Sequence, residues 1–523
     1  MKLQCWVDSF RKELNYKKWE YEIHAFLSGI IVGIIAHGYI FFNNITLHDN
    51  VYNFYMGGTY TLGRWMLAKL LRLSQVIYDT NYLHFTTPWY IGLLSLIWIG
   101  LSAAIMVYAL KLKSKILAVL LGGLLASFPV ITSMFGFMFT AGMYAFGTFM
   151  GVAGVLCVGS INKIKGWGKW IVACIGIGLQ AGSVGVYQAN IGVIVAFTII
   201  VFLKSLDDEE IGDIASALKS ILYYVAETLG YLVAYYVAAI YFVNRVGESL
   251  SSYQGIGNME DVGILEYLSR IPLAYSEFFA PTPGQSRYMY SGGVKYYYYI
   301  VLVLSICFVL WNLCTRYRHK VHLGIVYALA VSVFPLAVNI IYVMCDENIY
   351  SMMMYGEVMI FVLLLYLCSN IRVKWKNLVK TSAVIPLAIV MVLFCRYANV
   401  CYLSADYVQK AGIAYFNRMV ARIESEEGYV AGMPVVFIGE RPEVDSSLFL
   451  YPEFNEVQMW PYFKTMINNH SWYLFMKSTC GFNPPLGDPT LFVDKEEVIA
   501  MPQYPSEGSI MILDECVIVK LKQ

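Results

Sequence analysis

Asp49, between His48 and Asn50, is the residue whose surroundings best suit it to chemistry. It stands about six residues beyond the first long apolar segment, which puts it at the edge of a membrane rather than inside it. A carboxylate at that depth suits a general base that takes a proton from a water-borne hydroxyl. A lone Asp at a membrane surface is also an ordinary solvated loop residue, so its context has to decide. The amphipathic stretch Val51–Leu73 follows, with Gly63-Arg64-Trp65 inside it. At ~100° per residue, Arg64, Lys69 and Arg72 share an arc of roughly 140°. Such cations can anchor a helix on lipid headgroups. Arg64 is the one expected to turn inward, toward a phosphate.

Other polar groups fall in connections or within apolar segments. The long connection 244–295 carries Arg245, Glu248, Arg270, Glu277, Arg287 and Lys295 among Pro, Gly and aromatic residues. A connection of that length in a compact protein is usually functional or disordered, and Arg287, set between aromatics, suits a phosphate or sugar. Tyr187-Gln188 lies on a short polar turn that can line the same cavity. Asp346-Glu347 lies on another, where two carboxylates can bind a metal or an acceptor or simply face water. Glu227 and Glu357 sit inside apolar segments. Ionisable residues there are functional candidates by default, and Glu357 is the closer of the two to the outer end. His37 reads as a hydrogen-bonded structural residue.

The elements that must position these groups are membrane spans. The 523 residues are 58% hydrophobic and 14% charged, against roughly 25% charged in soluble proteins. Roughly eleven apolar segments are expected, at about 23–43, 89–110, 116–133, 138–159, 170–185, 189–205, 221–243, 296–315, 323–344, 350–370 and 382–402. Either segment of 168–205 can instead be re-entrant. Lys and Arg concentrate in 1–20, 111–115, 163–169, 204–219, 316–320 and 372–380, which are alternate connections. This places the N-terminus in the cytoplasm, with 44–88, 244–295 and the tail outside. The tail, 404–523, predicts a helix over Tyr407–Glu427 and strands near Pro434–Gly439, Ser509–Leu513 and Cys516–Val519. Cys480 and Cys516 can pair there. No Lys/Arg patch suggests nucleic acid, and the 11 Cys show no metal-binding spacing. The expected architecture is an α-helical polytopic domain, 1–403, with a small extracytoplasmic α/β domain, 404–523.

Taken in order, these motifs resemble the GtrII family of bacterial integral membrane glycosyltransferases. Asp49-Asn50 stands where that family often has two acidic residues, and Gly63-Arg64-Trp65 matches its Gly-Arg-Trp element. Val186-Tyr187-Gln188-Ala189 is similar to its Tyr-Gln turn, and Ala398 through Gly439 resembles the start of its tail. Asn50 in place of a second acid argues against a two-carboxylate or metal-binding role at that point. The resemblance implies a GT-C fold in the bacterial inner membrane. It also implies a polyprenyl-phosphate sugar donor, a cell-surface glycan or glycolipid acceptor, and transfer on the outer face with inversion. Asp49 would be the base, with Arg64 and Arg287 as donor-phosphate ligands. His48, Asn50, Tyr187, Gln188, Asp346, Glu347 and Glu357 would line the cavity. No cofactor is implied, and a divalent metal stays open. The rival classes are a lipid-linked-sugar flippase, a polysaccharide polymerase or ligase, and a membrane scaffold.

Overall fold

The computed structural model describes residues 17–45, 48–51, 56–78, 87–161, 164–251, 263–282, 288–290, 292–345, 349–371, 376–440 and 471–522. Among these, 11 helices are long and apolar enough to cross a membrane. They are α1 (Glu20–Phe42), α2 (Pro88–Leu110), α3 (Lys115–Gly136), α4 (Met138–Gly159), α5 (Gly168–Val186) and α6 (Asn190–Asp207). Then come α7 (Ile214–Arg245), α8 (Val294–Thr315), α9 (Val321–Val338), α10 (Ser351–Asn370) and α11 (Lys376–Glu424). The spans expected from hydropathy are all present. Both helices of the 168–205 pair are continuous, with 19 and 18 residues. The chain divides into two compact units, Met1–Phe42 with Tyr55–Asn399, and Asn43–Phe54 with Val400–Gln523.

In the first unit small residues let helix backbones approach. A Cβ on Gly122 of α3 would lie 2.0 Å from the Ala25 carbonyl oxygen of α1, and one on Gly29 of α1 would lie 3.0 Å from Gly100 of α2. Lipid gives no hydrophobic drive between helices, so close packing of this kind has to hold them. α3 is kinked at Phe128-Pro129. Pro129 has no N–H to give, and the kink frees carbonyls near it. The Tyr355 hydroxyl donates to the Leu125 carbonyl at 3.0 Å, and His37 Nε2 donates to the Ala126 carbonyl at 2.8 Å. His37 is fully buried and structural, as its sequence context suggested.

Among the described residues, the basic connections at 111–115, 204–210 and 316–320 meet at one end of this unit. Lys115 pairs with Glu20 at 2.5 Å and Lys320 with Glu209 at 3.2 Å. Asp208 receives Lys111 at 2.8 Å and Lys204 at 2.9 Å. Burial alone would push the Asp208 carboxyl up, but the hydrogen bonds from Lys111 and Lys204 outweigh it and hold it below the usual range. The hydrogen bond to Asp208 also pushes the Lys111 ammonium up. Beside this pair, buried Asp207 accepts from Tyr366 Oη at 2.6 Å and Tyr317 Oη at 2.9 Å, and pairs with Arg316 at 2.7 Å. Burial, then the Asp207 charge, pushes the Tyr317 phenol far up, so it stays a donor. One carboxylate thus ties α6, α10 and the α8–α9 turn together.

The second unit holds the expected α/β domain. Strands β1 (Val435–Ile438), β2 (Ile510–Leu513) and β3 (Cys516–Lys520) form a sheet in the order β1-β3-β2. β1 is parallel to β3, with Val435 opposite Val517, and β2 is antiparallel to β3, with Ile510 opposite Val519. Val435, Val517 and Val519 pack one face onto Phe416, Met419 and Ile423 of α11 and onto Phe475 and Met476. Val436, Ile438 and Ile518 pack the other face onto Phe492, Val498 and Met501. Both faces are covered, which explains the unbroken apolar runs of β1 and β3. One expectation is corrected. The last span and the tail helix are one 49-residue helix, α11, because nothing between 402 and 407 breaks helical geometry. Cys480 and Cys516 are both free thiols.

Candidate functional site

The stretch expected as one amphipathic helix is two helices among the described residues, Met56–Thr61 and Trp65–Tyr78. Gly63 separates them at φ +69°, a left-handed conformation that glycine adopts without strain. The Gly63 N–H donates to the Tyr60 carbonyl at 2.9 Å and the Arg64 N–H to the Thr59 carbonyl at 3.0 Å. That bond pair is a Schellman ending. Arg64 therefore lies in the turn before the second helix, not on its cationic face. Lys69, which is on the helix, lies over the Phe242 ring at 4.4 Å.

This turn meets the Tyr187-Gln188 turn between α5 and α6. The Arg64 guanidinium lies 5.1 Å from the Tyr187 ring centre and donates to the Tyr144 hydroxyl of α4 at 3.3 Å. Gln188 Nε2 donates to the Leu62 carbonyl at 2.6 Å and to the Tyr235 hydroxyl of α7 at 3.1 Å. The Thr61 carbonyl accepts the Ser251 N–H at 2.9 Å, so the end of the first helix is held from two further elements. Trp65 stacks on Phe242 with centroids 5.8 Å apart. A Cβ on Gly185 would lie 2.6 Å from the Trp65 ring, so Gly185 makes room for it. Below Tyr187, Asn190 Nδ2 donates to the Ser183 carbonyl at 3.1 Å and its Oδ1 accepts from Thr148 at 3.2 Å.

Two motifs far apart in sequence, Gly63-Arg64-Trp65 and Tyr187-Gln188, thus form one cluster. It is a half-buried guanidinium on an aromatic face, framed by amide and phenol groups. A cation so held is preorganised for an anion, since its orientation is set before the ligand arrives. Tyr144, Tyr235 and Asn190 were not evident from the sequence. Only Tyr235 carried a signal, its place in the four-residue series Tyr223, Glu227, Tyr231, Tyr235.

The remaining candidates stand as follows. Asp49 and Asn50 are half-buried in a 3-10 turn, His48–Val51, within the second unit. The turn packs against helix Trp472–Cys480. Gln409 of α11 donates to the Asn44 carbonyl at 2.8 Å, just ahead of it. The His48 side chain and all of Arg287, Asp346 and Glu347 lie outside the described residues. Glu357 is buried at the start of α10. Next to it, a Cβ on Gly356 would lie 2.6 Å from the Val338 carbonyl oxygen. No group of three His, Cys, Asp or Glu among the described residues is placed to hold a metal ion.

The family model described as Glucosyl transferase GtrII matches residues 38–361. The matched region includes Asp49, the Gly63–Trp65 turn, Tyr187-Gln188 and Glu357. No curated protein and no solved structure matches the chain.

Proposed function

Since the chain belongs to the GtrII glucosyltransferase family, we propose that this membrane glycosyltransferase draws its sugar from a polyprenyl phosphate. The sugar, a glucose or related hexose, goes to a cell-surface polysaccharide or glycolipid on the outer face of the bacterial inner membrane. Asp49 takes the proton from the acceptor hydroxyl as the oxygen attacks the anomeric carbon. The bond from that carbon to the phosphate oxygen breaks, and the centre inverts. A positioned base is worth about 10²–10⁴-fold. The leaving polyprenyl phosphate gains negative charge, and Arg64 receives it. The Arg64 guanidinium on the Tyr187 ring is the observation that carries this reading. It supplies a preoriented cation where two family motifs meet. Tyr187 and Gln188 frame that cation.

The test uses purified protein in vesicles with polyprenyl-phosphate glucose and a glycan acceptor. Wild type should form acceptor-bound glucose. Asp49→Asn should fold and reach the membrane but lose transfer by the factor above, and Arg64→Ala should lose about 10²–10³-fold. Movement of the lipid-linked sugar across the bilayer without transfer would show a flippase instead. Near-normal transfer by Asp49→Asn would remove Asp49 as the base.

A further inference from the structure

The seam between α5 and α7 carries polar atoms that the protein itself leaves poorly served. α7 presents Tyr223, Glu227, Tyr231 and Tyr235 at four-residue spacing, so they form one stripe along the helix. Its other side is apolar and exposed, with Leu222, Leu229, Val233 and Val237. Glu227 is 4% exposed, and Tyr231 and Gln180 of α5 are wholly excluded. Both Glu227 carboxyl oxygens, both ends of the Gln180 amide, and the Tyr223 and Tyr231 hydroxyls make no well-formed hydrogen bond among the described residues. Gln180 faces Glu227, and Thr228 lies beside Tyr231, but their geometries fall short of one. The position of Gln180 is built in: a Cβ on Gly154 of α4 would lie 2.6 Å from its Cγ.

Within a membrane, each polar atom without a partner is destabilising by several kcal/mol. So dense a group requires an occupant. The group mixes acceptors with donors, namely the Gln180 amide N–H groups and the phenols. A bare cation would serve only the acceptors, and a lipid chain would serve neither. Water serves both, given two to four polar partners. The stripe ends at the cluster described above. Tyr235 bonds Gln188 in the Arg64–Tyr187 cluster. At 1.5 Å per residue, Tyr223 lies about 18 Å below Tyr235 along α7.

We infer that the α5–α7 seam is a water-filled site, leading from the Arg64–Tyr187 cluster to the carboxyl group of Glu227 near the middle of the bundle. Its ligand is water, with the solvent protons that water brings to Glu227. This holds whatever the donor and acceptor prove to be.

Radiolytic hydroxyl footprinting of the full chain in vesicles, in ¹⁸O-labelled water, tests it. Radicals form from water in place and mark the tyrosines next to it. Tyr231 should gain label several-fold faster than Tyr355, which is also buried but is bonded to the Leu125 carbonyl. Equal rates would overturn the proposal. The double variant Gln180→Leu, Glu227→Leu fills the seam with apolar groups, a change proteins often tolerate. Its Tyr231 rate should fall to that of Tyr355, and an unchanged rate would also overturn the proposal. If this variant does not accumulate, the wild-type comparison decides alone.

Discussion

Asp207→Asn should be among the most destabilising single changes in the membrane unit. The side chain of Asp207 is 1% exposed and that of Arg316 is 14% exposed, so the pair is largely withdrawn from water. Asparagine keeps an oxygen that Tyr366 and Tyr317 can still reach, but it removes the charge that balances the guanidinium. Breaking a buried pair on one side costs about 3–5 kcal/mol. Tyr366→Phe removes one hydrogen bond to a charged acceptor, worth about 1.5–3 kcal/mol. The order of loss is therefore Asp207→Asn, then Tyr366→Phe, then Tyr317→Phe, whose bond is 2.9 Å rather than 2.6 Å. A domain has roughly 5–15 kcal/mol in all, so the first change should clearly lower the midpoint of thermal unfolding in detergent. Asp207→Leu with Arg316→Leu should recover only part of the loss, because no charge is then left unpaired but the Tyr366 and Tyr317 hydroxyls lose their acceptor. Equal midpoints for wild type and Asp207→Asn would refute the reasoning. So would a double variant worse than either single one.

Four further outcomes are expected. Tyr187→Leu removes the face beneath Arg64 and should cost about 0.5–2 kcal/mol of transition-state binding, a fall of roughly 2–30-fold in kcat/KM, while Tyr187→Phe stays near wild type. Gly185→Val drives a side chain into the Trp65 ring and should lower stability by about 1–3 kcal/mol, visible as a lower unfolding midpoint with transfer reduced in the survivors. Glu515→Gly should stabilise the sheet by about 1–2 kcal/mol, because Asp514 and Glu515 form the β2–β3 turn at φ 49° and 59°, which glycine adopts freely; urea unfolding of the full chain followed by β-sheet signal measures it. Because the folded Asp208 carboxyl is held low, its contribution is fully present at neutral pH and fades as pH falls through that lowered value; the stability gap between wild type and Asp208→Asn should be flat near neutrality and close in acid.

The residues that could be read directly are those whose signal is local. Apolar runs of membrane length mark all the spans, because a bilayer satisfies no backbone group and leaves the helix to do so. The sheet was equally plain, since β1 and β3 are short runs rich in β-branched residues beside turn residues. Arg64, Tyr187 and Gln188 could be named one by one. Their meeting could not, because it depends on a Schellman turn at Gly63 and on the space left by Gly185. The amphipathic pattern across Val51–Leu73 misled for the same reason: one glycine at positive φ takes Arg64 off the helix.

Hydropathy and charge alternation by themselves determined how many membrane-length helices the described residues form and which connections are basic, and the change in pattern after residue 403 marked a mixed domain. These properties arise within one segment at a time, from the length of chain a bilayer demands and the groups it refuses. Tertiary structure alone decided that Asp207 is the knot of the basic end and that Glu227 faces Gln180. It alone set Arg64 against Tyr187. Each of these needs two side chains from distant segments to be withdrawn from solvent together, and the free energy of that withdrawal depends on what stands opposite, which no single stretch of sequence records.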